Sequence, residues 1–143
     1  MLNVKLPNHP KIHKMEYFME KLLTKYNIDV LILFGSVVKG LDNYRSDIDV
    51  LIVSDDMGRD WFERHQNAYS LSIGLIQPFV LTKKQFENAI ENRQTIVWEA
   101  LTDGKLLKDT GIGKLMIQRF NKLIENGEIK RMKKGWKINS KAF

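Results

Sequence analysis

Two short apolar runs limit what this chain can fold into more than any other feature. "DVLILF" (29–34) and "DIDVLIVS" (47–54) are too short for a buried helix and rich in residues that favour strands, so both are expected to be buried strands. Between them lies "GSVVKG" (35–40), a glycine-led turn that can form one short helical turn, stopped by Gly40. A polar loop, "LDNYR" (41–45), follows. Side chains on a strand alternate between faces. Asp47 and Asp49 therefore share one face, with Ile48, Val50 and Ile52 on the other. Leu51 and Val53 continue the aspartate face, so its polar part is confined to the start of the strand.

The remaining segments build around this pair. "KIHKMEYFMEKLLTKY" (11–26) spaces its apolar residues as an amphipathic helix does. A helix is expected over 58–70, around Trp61, Phe62, His65 and Tyr69. "LIQPFVLT" (75–82) reads as a third strand, and Pro78 within it predicts an edge strand or a bulge. Thr82 is placed to cap a helix through "KKQFENAIEN", and "TIVWEAL" continues helical. After Gly104, "KLL" is a candidate last strand. Residues 112–134 read as helical and increasingly basic, with a weak point at Gly127. At 143 residues, with no repeat or linker, the chain is expected to be one mixed α/β domain. A small sheet is flanked by helices, and the C-terminus is helical and basic.

Composition excludes several chemistries. The chain has no cysteine, which rules out disulfides, cysteine-ligated zinc and thiol catalysis. His9, His13 and His65 show no metal-ligand grouping, and Pro10 interrupts the first two. No apolar h-region or membrane-spanning run occurs, so a cytoplasmic location and no membrane partner are expected. The net charge of +6 is unevenly spread. Residues 111–143 hold nine of the 23 Lys/Arg and two of the 17 Asp/Glu. That segment can attract phosphates, nucleic acid or an acidic partner, or can be a solvated face. Trp136, among its lysines, is expected to anchor the tail; stacking on a base is the alternative.

The acidic pair and the turn belong together chemically. Same-face carboxylates two residues apart lie about 6–7 Å apart at Cα and repel. A hard divalent cation, Mg²⁺ or Mn²⁺, resolves that conflict with oxygen ligands alone. Gly35 lets phosphate oxygens approach the backbone, Ser36 opens the helical turn with a hydroxyl and free N–H groups, and Lys39 can add charge.

"FGSVVKG" followed by "RSDIDVLIV" resembles the signature of the DNA polymerase β-like nucleotidyltransferases, especially the minimal nucleotidyltransferase (MNT) domains of archaea and bacteria: G-S, about ten residues, then D-x-D. The resemblance is strong over 29–54 and extends weakly over 1–110, through the strand–helix order and "EALTDGKLLKD". It implies a nucleotidyltransferase domain over residues 1–110. Residues 111–143 then form a basic helical extension packed on, or projecting from, that domain. It further implies that Gly35 and Ser36 bind the triphosphate of an NTP, with ATP favoured. Asp47 and Asp49 would hold two Mg²⁺ ions, and Ser46 would orient Asp47. Active members carry a third acid on the next strand. Here that strand offers Gln77 or Phe79, depending on register. Asp55 and Asp56 lie too far along to replace it; Glu99 or Asp103 would have to fold back.

Three readings follow. The first is an Mg²⁺-dependent transfer of NMP, AMP above all, to a hydroxyl of a protein, nucleic acid or small molecule. The second is an MNT-type antitoxin or binding module paired with a HEPN-type partner. The third is a catalytically weak nucleotide- or nucleic-acid-binding domain that uses the basic tail.

Overall fold

The computed structural model describes residues 12–39, 48–72 and 76–139, apart from the side chains of Ile12, Val37 and Lys39. The expected loop over 41–45, along with His9, Ser46 and Asp47, lies outside the described residues. The chain runs α1 (Ile12–Lys25), β1 (Val30–Phe34), α2 (Ser36–Lys39), β2 (Ile48–Val53), α3 (Trp61–Leu71), β3 (Ile76–Leu81), α4 (Lys83–Glu87), α5 (Thr95–Asp103), β4 (Lys105–Asp109), α6 (Ile112–Glu125), β5 (Ile129–Arg131) and β6 (Trp136–Ile138).

Four strands form one mixed sheet in the order β3-β2-β1-β4. β1 runs antiparallel to both neighbours, while β2 and β3 are parallel. A parallel pair needs a crossover connection, and α3 supplies it. Every residue of β1 is buried because the sheet has a core on each face. Leu31 and Leu33 pack with Ile48, Val50 and Ile52 against Met15, Phe18 and Leu22 of α1 and Ala68 of α3. Val30, Ile32 and Phe34 turn the other way, with Leu51 and Val53, toward Phe86, Trp98 and Phe120. The continuous apolar runs thus reflect strands covered on both sides.

Side-chain caps open both α3 and α4, and the one at Thr82 is the cap expected from the sequence. Asp60 caps α3 by accepting from the Glu63 N–H, at 2.8 Å. Thr82 and Gln85 form a reciprocal capping box at α4. Helix α4 is shorter than expected, ending at Glu87 before a run of turns.

β3 is an edge strand, as Pro78 predicted. The Val80 N–H points away from β2 and donates to Nε2 of the buried His65, at 3.1 Å. Pro78, two residues earlier on the same outward side, has no N–H to satisfy. His65 Nδ1 lies 2.9 Å from the Trp61 carbonyl. Nδ1 therefore carries the proton and donates it, leaving Nε2 as the acceptor.

The C-terminal segment differs from the helical expectation. Helix α6 stops at Glu125, and Gly127, at φ +74°, turns the chain into a two-stranded antiparallel ribbon. Burial outweighs helix propensity here. Ile129 and Ile138 join the second core, and Trp136 packs edge-on against Trp98 and Phe120 at centroid distances of 5.6 and 5.7 Å. Trp136 is therefore an anchor, the role expected of it.

Candidate functional site

Strand pairing brings three segments to one row. Phe34, the last residue of β1, lies opposite Asp49 on β2, and Asp49 lies beside Gln77 on β3. All three positions share the face of the second core, the face of Leu51 and Phe79. Of the two β3 residues considered from the sequence, the register sets Gln77 beside Asp49, with Phe79 one step along beside Leu51.

Gly35 follows Phe34 directly. Its φ of +83° is left-handed, a conformation that favours glycine. A Cβ built there would sit 2.3 Å from Asp49 Oδ2. The half-buried Asp49 carboxylate thus lies in the space a side chain at position 35 would take. Ser36 opens α2, and the Gly35 carbonyl accepts from the Val38 N–H, closing that turn at 3.2 Å. The turn brings Gly35 against Asp49, with Ser36 the next residue in the chain. The backbone of Lys39 ends α2, while Asp47 and Ser46, outside the described residues, immediately precede β2.

Gln77 is held in place. Its amide nitrogen donates to the Tyr69 hydroxyl of α3. Sequence reasoning did not single out Tyr69 for this role, because the contact depends on how α3 crosses back over β3. In the sequence Phe34 reads only as strand core. Its ring reaches Phe79 at a centroid distance of 5.8 Å, over β2 and beside the Asp49 row. Beyond that pair, a cleft of about 410 Å³ opens along β3, lined by Leu51, Phe79, His65, Trp61 and Gln94.

The other acids are engaged elsewhere. Asp55 accepts from the Lys83 N–H at 2.9 Å, and Asp56 from the Asn27 N–H at 3.0 Å, both at the far end of β2. Asp103 pairs with Arg131. Glu99 is exposed on α5. Among the described residues, no group of three or more His, Asp or Glu is placed to hold a metal, and no helix is long and apolar enough to cross a membrane.

A glycine turn against a strand-borne aspartate on a mixed sheet is the arrangement of a nucleotidyltransferase fold. The family model described as "Polymerase beta, Nucleotidyltransferase" matches residues 18–111, and the chain belongs to that family. Among solved structures, a chain of a toxin–antitoxin complex with AMP-PNP matches at 20% identity and a TM-score of 0.54, over 79% of this chain and 89% of that one. A chain from the complex of a tri-AMPylated Shewanella oneidensis HEPN toxin with its MNT antitoxin matches at 15% identity and a TM-score of 0.51, over 82% and 89%. These likenesses establish a shared fold. No curated protein matches the sequence.

Proposed function

We propose that the chain binds ATP with Mg²⁺ at the Gly35–Asp49 corner, in the cytoplasm, and transfers AMP to a hydroxyl acceptor: the acceptor oxygen bonds to the α-phosphorus, the bond from that phosphorus to the bridging oxygen breaks, pyrophosphate leaves, and the hydroxyl proton passes to solvent. The observation that carries this reading is the Asp49 carboxylate lying where a Cβ of residue 35 would be. Such closeness keeps a metal-ligand oxygen beside a bare stretch of backbone, where phosphate oxygens can approach. Gly35 and Ser36 hold the triphosphate, Lys39 adds charge, and Ser46 orients Asp47. Asp47 and Asp49 are the catalytic and metal-holding carboxylates. An all-oxygen donor set suits Mg²⁺ or Mn²⁺. When bound, the metal neutralises charge on the phosphates and lowers the barrier to in-line displacement.

Gln77 sets the limit on this chemistry. It stands beside Asp49 but is neutral, and its amide is committed to Tyr69. It cannot take the acceptor's proton as a carboxylate would. That favours a second reading, a nucleotide-binding module that acts mainly by pairing with a HEPN-type protein. The AMP-PNP and AMPylated-toxin complexes of the fold relatives support both readings.

Calorimetric titration with the four NTPs, with and without Mg²⁺, followed by transfer of α-phosphate label to a co-expressed HEPN-type protein, tests them. ATP binding that needs Mg²⁺ and is lost in Asp47→Asn/Asp49→Asn supports the site. Label on the acceptor supports transfer, and binding without label supports the module. Absence of NTP binding sinks both.

A further inference from the structure

The basic C-terminal ribbon is not used by the site described above. Its two faces differ sharply. Ile129, Arg131, Trp136 and Ile138 turn inward. Arg131 pairs with Asp103 and lies over the Trp136 ring, 5.2 Å from its centroid. Lys130 and Lys137 turn outward, directly opposite each other in the ladder. Like charges facing across a strand pair repel, and an anion lying over both would relieve that repulsion. The connecting turn adds Lys133 and Lys134, both exposed. None of these four lysines has an ion-pair partner among the described residues.

The ribbon is also fixed in position. Trp136 locks it onto Trp98 and Phe120. The Arg131–Asp103 pair ties its turn end to the C-terminus of α5. Lys105, two residues on from Asp103, pairs with Leu33, two residues before Gly35. The lysine cluster is thereby held toward the end of the sheet that carries Gly35 and Asp49.

We infer that this ribbon is a docking surface for the phosphate backbone of nucleic acid. Its chemistry distinguishes that occupant from an acidic protein. Protein interfaces are depleted in lysine and enriched in arginine and aromatic anchors. Here the arginine and the tryptophan are turned inward, and the outer face presents ammonium groups. Lysines act as point charges that tolerate varied phosphate geometry. Contacts of this kind position a backbone without reading its sequence. The inference stands independently of NTP binding.

The test is fluorescence anisotropy with a labelled 20-nucleotide single-stranded RNA and a 20-base-pair DNA duplex, titrated with the full chain from 50 to 400 mM salt. Four phosphate contacts give a slope of log K against log[salt] of about −3. Lys133→Gln/Lys134→Gln and Lys130→Gln/Lys137→Gln should each flatten the slope by about 1.5, and the quadruple variant should lose binding at 150 mM salt. These positions are exposed, and unchanged thermal melting confirms that the variants fold. Lys114→Gln/Lys122→Gln on α6 controls for net charge and should leave the slope within about 0.5 of wild type if those lysines touch no phosphate. The inference is overturned if no nucleic acid binds at 50 mM salt, or if the α6 pair flattens the slope as much as the ribbon pairs do. It is equally overturned if polyglutamate of matched charge, or vesicles of anionic lipid, bind as tightly as RNA and lose binding with the same substitutions.

Discussion

The two ends of β2 carry acids of the same kind in different circumstances. At the C-terminal end, Asp55 and Asp56 cap backbone N–H groups of Lys83 and Asn27, and the Ser54 hydroxyl donates to the Asn27 carbonyl at 2.6 Å. These groups fasten loops to the sheet. At the N-terminal end, Asp49 lies against a left-handed glycine that leaves room for its carboxylate. An acidic residue beside a strand is thus no indication of a site. What separates the two ends is the backbone beside each carboxylate: loop N–H groups of Lys83 and Asn27 at one end, the bare left-handed Gly35 at the other.

The strongest test of that contrast lies in the same row. Gln77→Asp supplies an acid beside Asp49, and AMP transfer should rise by about 10²-fold or more, the usual contribution of a positioned general base. A rate assay with labelled ATP measures this; no increase would mean that position 77 does not face the acceptor. Gly35→Ala should weaken ATP binding by about tenfold, roughly 1.4 kcal/mol. It should also cost about 1–3 kcal/mol of stability, from a Cβ at positive φ driven into Asp49. Calorimetry and thermal melting read the two effects separately.

Asp55→Ala and Asp56→Ala should do the reverse. Each should lower stability by about 1–2 kcal/mol through loss of a charge-assisted hydrogen bond, with ATP affinity unchanged. Loss of affinity in either would erase the distinction between the two ends. The smallest expected effect is on pH dependence, and it lies at β3. Burial pushes the His65 imidazole below its usual value of 6.5, with the Arg64 charge adding to this against the opposing Trp61 carbonyl bond. The folded state then binds fewer protons than the unfolded state in the window below pH 6.5. Stability should be full above that pH and fall on acidification through the window. His65→Gln, which keeps an acceptor for Val80, should show a flatter melting profile between pH 7.5 and 5.5.

Much of this was legible in the residues. The strands β1 and β2, the helical turn at Ser36, the Thr82 cap and the edge character of β3 all follow from local patterning that tertiary contacts reinforce. The partners of Asp49 were harder. The choice between Gln77 and Phe79 depends on a parallel register, and the loop chemistry that sets it is not local. Asp103 could be assigned only once the ribbon gave it Arg131. The ribbon itself reads as helix in the sequence because its strands are three residues long and half of their residues are charged. The signal that could have revealed it is Gly127 together with "KKGW", a turn before an aromatic that needs burial. Burying Trp136 against Trp98 requires a reversal of the chain that a continuous helix cannot make.

The His65 contact has a consequence for assembly. A partner that joined this sheet by adding a strand at β3 would need a row of free amide hydrogens there. Proline removes one and the imidazole occupies the next. The sheet is therefore closed to growth on that side: it does not template a neighbouring chain into a shared ladder, and any companion protein must be recognised there through side chains.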